Sequence, residues 1–131
     1  MEHKEKKFRK RDAILACVQG TTTHPSAEWV FAQLKPEITD LSLGTVYRNL
    51  ALFKEQGKII SVGNVNGVER FDGNTQPHVH YVCTQCGAVI DLHELSVPEE
   101  LNAAAERCAG SPVTGCQLTF FGVCMKCANQ D

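Results

Sequence analysis

In the first half of the chain apolar residues recur with the spacing of an α-helix. Between residues 8 and 19, Phe8, Ile14, Leu15 and Val18 share a face with Arg11, and Gly20 supplies a stop. A second helix is predicted after His24-Pro25. Ser26 caps it, Glu28 sits in the first turn where the helix dipole favours an anion, and Ala27, Val30, Phe31 and Leu34 form its apolar stripe. Pro36 marks its end. A third helix is capped by Ser42 and runs through Leu43, Val46, Leu50 and Phe53 to Gly57. Beyond Gly57 the period changes to that of strands. Residues 59–62 and 68–71 flank Asn66-Gly67, a favoured hairpin turn. Three helices and a hairpin predict a winged helix-turn-helix with the helix after Ser42 as its recognition helix; a plain helical bundle with an incidental hairpin has the same layout. Thr45, Tyr47, Arg48 and Asn49 on that helix carry hydroxyl, guanidinium and amide groups that can contact phosphates or base edges.

Residues 73–77, Gly-Asn-Thr-Gln-Pro, are a turn-rich break. The domain reading is therefore residues 1–72, a hinge at 73–77, and a second unit at 78–131. In that unit strands are predicted at 78–83, 88–92 and 117–123, with a helix from Pro98 to Gly110. The fold class is α+β. With under 60 residues the second unit buries little core and needs a metal, a partner subunit or both.

Composition and charge refine this picture. No apolar run approaches the roughly 18 residues of a membrane span, and the charged N-terminus has no apolar stretch of a secretory signal. A cytoplasmic location is the expectation. The net charge of −2 averages two unlike halves: residues 1–72 carry +2 and residues 73–131 carry −4. The first half is the better match for a phosphate backbone, although six of its basic residues lie within residues 4–11.

The seven cysteines of a chain read as cytosolic are metal ligands or buried thiols before they are disulfides. Cys83-x-x-Cys86 and Cys124-x-x-Cys127 each follow a predicted strand. Two such knuckles supply four thiolates, a closed tetrahedral set suited to structural zinc. Redox dithiols and a rubredoxin-like iron centre are the competing uses. Redox use is disfavoured because neither pair is predicted at a strand-to-helix start, where thiol pKa values fall. Cys17, Cys108 and Cys116 read as small buried hydrophobes. A second constellation begins with His78-Val79-His80, whose imidazoles share one strand face. Asp91 follows on the adjacent strand, Asp72 precedes the hinge, and His24 starts the second helix. Three imidazoles and two carboxylates suit Fe(II), Mn(II) or Zn(II). Taken singly, each has a bland role as a cap, turn or surface residue. An ion held by both halves of the chain would link metal occupancy to the orientation of the recognition helices in a dimer.

These motifs together resemble the ferric uptake regulator family. The resemblance rests on residues 24–28 (His-Pro-Ser-Ala-Glu), 43–50 (Leu-Gly-Thr-Val-Tyr-Arg-Asn-Leu), Arg70-Phe71-Asp72, residues 78–87, and residues 122–127, in the family's order. It implies a homodimeric winged-helix repressor that binds operator DNA, with a C-terminal dimerisation domain, a four-cysteine structural zinc and a separate regulatory metal. The set His24, Asp72, His78, His80 and Asp91 looks like that of the peroxide-responsive subgroup. Iron-responsive members usually carry Glu in place of Asp91, and zinc-responsive members usually bring a Cys into the set. The resemblance then implies regulatory Fe(II) or Mn(II), with peroxide and Fe(II) oxidising His24 and His78 and derepressing oxidative-stress genes. An iron- or zinc-responsive uptake repressor is the alternative. Many members begin with an extra helix; here seven mostly charged residues precede Phe8, and Lys4, Lys6, Lys7, Arg9 and Lys10 are expected to serve as a basic arm.

No enzyme is expected. A small zinc hydrolase needs a general base in a recognisable motif, such as His-x-Glu before Pro-Cys-x-x-Cys, and none is present. Neither a hydrolase nor an electron carrier accounts for the winged-helix half.

Overall fold

A computed structural model describes residues 2–76 and 78–129, with side chains from residue 9 onward. The chain forms two compact units, residues 1–75 and 76–131.

The first unit contains helices α1 (Glu2–Gln19), α2 (Ala27–Leu34) and α3 (Leu43–Glu55), then an antiparallel hairpin of β1 (Ile60–Val65) and β2 (Val68–Asp72). The predicted caps are made. Ser26 Oγ accepts from the Trp29 amide at 3.1 Å, and Ser42 Oγ accepts from the Thr45 amide at 3.1 Å. Ile14 and Val18 of α1, Val30 of α2, Val46, Leu50 and Phe53 of α3, Ile59 and Phe71 form one buried core. The stripe read from periodicity is thus the packed face. At the hairpin tip both Asn66 (φ 54°) and Gly67 (φ 83°) are left-handed, as a two-residue turn matched to strand twist requires.

One expectation is corrected. The helix does not begin at Phe8: the backbone is helical from Glu2, so the predicted basic arm is a continuation of α1. Residues 2–8 contain only good or tolerable helix formers and no Gly or Pro, so nothing stops the helix earlier. The side chains of Lys4, Lys6 and Lys7 lie outside the described residues; so does Pro77 of the predicted hinge. Gly73 follows β2 directly, where a Cβ would stand 2.6 Å from Gln19 Cα; only glycine permits this approach of the chain to the end of α1.

The second unit is a three-stranded sheet in the order β4-β3-β5, from β3 (Val79–Cys83), β4 (Val89–Leu92) and β5 (Thr119–Gly122), with α4 (Glu99–Ala109) and a single turn, α5 (Met125–Ala128). β4 is antiparallel to β3 and pairs His80 with Asp91. β5 is parallel to β3 and pairs Cys83 with Gly122. α4 ends where expected, with Gly110 left-handed at φ 66°. The buried apolar set is small, consisting of Val79, Val82, Cys83, Val89 and Cys127, and no residue of α4 is buried. Among the described residues no helix is long and apolar enough to cross a membrane.

Candidate metal centres

The parallel pairing of β3 and β5 brings the cysteine pairs together. Two parallel strands end at the same edge of a sheet, so the knuckles that follow them converge. The Thr84 amide donates to the Gly122 carbonyl at 2.8 Å and ties the two exits. The four Sγ atoms of Cys83, Cys86, Cys124 and Cys127 lie within 4.8 Å of one another, and Cys86 and Cys124 are 3.8 Å apart. Zinc–sulfur bonds of about 2.3 Å in a tetrahedron place sulfurs about 3.8 Å apart, so the set fits zinc. The amides of Cys86 and Cys124 each donate to Cys83 Sγ at 3.4 Å. These donors, Cys124 first, hold the Cys83 thiol down at about 6. Cys127 is pushed up to about 12, first by its hydrogen bond with Cys124 and then by burial. One ready thiolate beside a protonated thiol describes a site that sheds protons as it takes an ion.

Two cysteine readings change. Cys124 does stand at a strand-to-helix start, because it N-caps α5, a turn too short to register as periodicity. Its pair nonetheless belongs to a four-thiol cluster. Cys108 and Cys116 are exposed and Cys17 is half-buried, so none is the fully buried thiol expected. For Cys108 the reason is that α4 covers no core of its own unit.

The His/Asp constellation divides between the units. In the first, His24 Nε2 and Asp72 Oδ2 are 3.3 Å apart and both side chains are buried. His24 is left-handed, at φ 53°. Its loop is gripped by Arg70, whose Nε donates to the His24 carbonyl and whose Nη2 donates to the Thr23 carbonyl at 2.7 Å. The Phe71 amide donates to the Pro25 carbonyl at 2.9 Å. Asp72 is steadied by the Asn74 amide, which donates to Oδ1 at 2.8 Å. Arg70 carried no role in the sequence reading; its position two residues before Asp72 gave no sign that it would reach back 46 residues.

In the second unit His78 Nε2 and His80 Nε2 both face Asp91 Oδ1, at 2.9 and 3.2 Å. His78 Nδ1 lies 2.7 Å from the Gln76 carbonyl. A carbonyl only accepts, so Nδ1 carries the proton and Nε2 turns a lone pair or a second proton toward the carboxylate. Two imidazole nitrogens within 3.2 Å of one carboxylate oxygen are placed as ligands of one cation would be, and a histidine oriented through its other nitrogen is the usual state of a metal ligand. The donor set fits Fe(II), Mn(II) or Zn(II).

On α3, Tyr47 donates its hydroxyl to the Glu28 carboxylate of α2. That bond holds the Glu28 carboxyl below its usual range and pushes the Tyr47 phenol up. Arg48 Nη2 donates to Thr45 Oγ1 at 3.1 Å, and Asn49 Nδ2 donates to the Thr45 carbonyl at 2.9 Å. Tyr47 is nearly half exposed, whereas the Asn49 amide is committed to its own helix.

Comparison with known proteins agrees with this architecture. The profile of the ferric uptake regulator family matches residues 3–121. A peroxide-responsive repressor of Staphylococcus aureus is 32% identical over 120 residues, which cover 92% of this chain and 80% of the relative. The crystal structure of a Campylobacter jejuni peroxide stress regulator superposes with a TM-score of 0.78 at 28% identity, covering 96% of this chain and 94% of that one. The Vibrio cholerae ferric uptake regulator gives 0.68 at 29% identity, covering 87% and 88%. With a winged helix, a paired imidazole–carboxylate set and a four-thiol cluster all in place, the chain belongs to the ferric uptake regulator family, whose members are metal-responsive transcriptional regulators and not enzymes.

Proposed function

We propose that this protein is a homodimeric, DNA-binding repressor that senses hydrogen peroxide through a regulatory Fe(II). The observation that carries the reading is the convergence of His78 and His80 on a single oxygen of an aspartate, Asp91. The short carboxylate leaves room for a small oxidant beside the imidazoles. His24, Asp72, His78, His80 and Asp91 are the proposed regulatory ligands, and Cys83, Cys86, Cys124 and Cys127 the structural zinc ligands. When bound, Fe(II) supplies one-electron chemistry toward peroxide; Mn(II) supports DNA binding without it. The chain's own part is to hold imidazole carbons within reach of that chemistry. The 32% identity with a peroxide-responsive repressor over nearly the whole chain supports the assignment.

His24 sits in the DNA-binding unit and Asp91 in the other, so an ion shared by both would restrain the units and pre-set the recognition helices for operator DNA. Oxidation of His24 or His78 removes a ligand and that restraint. Thr45, Tyr47, Arg48 and Asn49 are the proposed DNA contacts, of which Tyr47 and Arg48 are the more exposed. Dimerisation is supported by α4, whose Leu101, Ala104, Ala105 and Cys108 form an apolar face that buries nothing in its own unit. The test is peptide mass spectrometry of the Fe(II)-loaded protein after peroxide. Added oxygen is expected on the peptides holding His24 or His78, and its absence from both refutes the proposal.

The 29% identity with a ferric uptake regulator favours a second reading, a repressor that senses iron itself. Operator binding with Mn(II) and with Fe(II), each with and without peroxide, separates them. Only the peroxide sensor releases DNA in the Fe(II)-plus-peroxide arm alone.

A further inference from the structure

The antiparallel register of β3 and β4 pairs His80 with Asp91 and Val79 with Leu92. Extended by one residue it sets His78 against His93. Residues two apart on a strand share a face, so His78, His80, Asp91 and His93 form a two-by-two grid on one side of the sheet. The contacts agree. Asp91 turns Oδ1 to His78 and His80, and its Oδ2 lies 3.8 Å from His93 Nε2. The His78 and His93 rings stack with centroids 6.0 Å apart, and those of His78 and His80 lie 4.3 Å apart. Three of the four side chains are nearly buried, whereas His93 is 68% exposed. An imidazole this exposed has open space to turn toward an ion held by its neighbours, and it stands on the solvent side of the grid.

We propose that His78, His80, Asp91 and His93 make a divalent-cation site contained in the second unit alone, with His93 as its solvent-side ligand. This rests on the reading of His78, His80 and Asp91 as regulatory ligands and adds to it. Three imidazoles and one carboxylate favour Zn(II) and Co(II) over Mn(II). An ion can therefore load on this unit before His24 and Asp72 engage, with His93 filling the coordination position they later take. The site is richer in nitrogen than the five-ligand set, so the loading step and the regulatory state prefer different metals.

The test uses full-length protein with zinc in its four-cysteine site. Co(II) is titrated and its visible absorption followed, with a chelator competing. The double variant His24→Ala/Asp72→Ala is expected to keep one equivalent of Co(II), and adding His93→Ala to it weakens that binding by at least about tenfold. Equal binding by the double and triple variants, or no Co(II) bound by the double variant, overturns the proposal. The five-ligand reading is judged separately, by comparing the double variant with the unsubstituted protein. If removing His24 and Asp72 leaves Co(II) affinity unchanged, that reading fails and the His93 comparison still stands. His93→Asn in the double variant serves as a second check, since it keeps the side chain polar and of similar size while removing the ligating nitrogen.

Discussion

At the scale of single residues the most consequential contact is the grip of Arg70 on the His24 loop. A non-glycine residue in the left-handed region costs on the order of 1–3 kcal/mol and persists only where its surroundings hold it. The planar guanidinium reaches two successive carbonyls, those of Thr23 and His24, from two separate nitrogens held in a fixed fork, a geometry that a lysine's single nitrogen on a shorter reach does not reproduce. Arg70→Lys is therefore expected to leave helix content unchanged by circular dichroism and to weaken regulatory Mn(II) binding by about tenfold, measured by electron paramagnetic resonance titration. Unchanged Mn(II) affinity would show that the loop holds its shape without the fork. The sequence marked Arg70 only as part of the Arg70-Phe71-Asp72 stretch and assigned no role to it or to His93. Motif reading collects residue types known to bind, whereas support for a ligand depends on what the fold brings beside it.

At the scale of elements, the pairing of β5 alongside β3 makes the four-thiol cluster. Cys-x-x-Cys spacing was enough to expect two knuckles, and a strand before each could be read from apolar runs. That the strands run parallel and adjacent could not, because the crossover through β4 and α4 leaves no local mark. The helical turn after Cys124 escaped for a similar reason, being shorter than one period of any pattern. The pH behaviour of this element follows from its donors. Above the ordinary thiol range Cys83 is ionised in folded and unfolded chains alike. The lowered value therefore stabilises the metal-free fold most in that range, and the contribution fades as pH falls through about 6. Cys127, pushed to about 12, must give up its proton to bind. Zinc affinity, measured by competition with a chromophoric chelator, is expected to fall as pH drops and to fall more steeply below about 6, where Cys83 also takes a proton. A pH-independent affinity between 8 and 5 would contradict the thiolate assignment.

At the scale of the whole molecule, the two units differ in how they close a core. The first buries one apolar cluster, from Ile14 to Phe71, to which all three of its helices and its hairpin contribute. The second buries few apolar residues and leaves Phe121, Val123, Leu95 and Leu101 exposed. If a second copy covers α4, Leu101→Glu puts a charge into that contact. Sedimentation is then expected to show a species near the 14.4 kDa of one chain rather than twice that, with circular dichroism preserved. A Leu101→Glu protein that remains dimeric would move the interface elsewhere.

By itself the sequence determined the element types, the caps at Ser26 and Ser42, the hairpin at Asn66-Gly67 and the residues able to bind metal. These follow from local periodicity, turn chemistry and side-chain type, all of which act over a few residues. The continuation of α1 back to Glu2, the exposure of Cys108 and Cys116, the strand order β4-β3-β5, the Arg70 fork and the placing of His93 beside Asp91 were decided only in the tertiary structure. Each depends on which distant segments pack together, and a free energy spread over many weak contacts leaves no trace in any one stretch of chain.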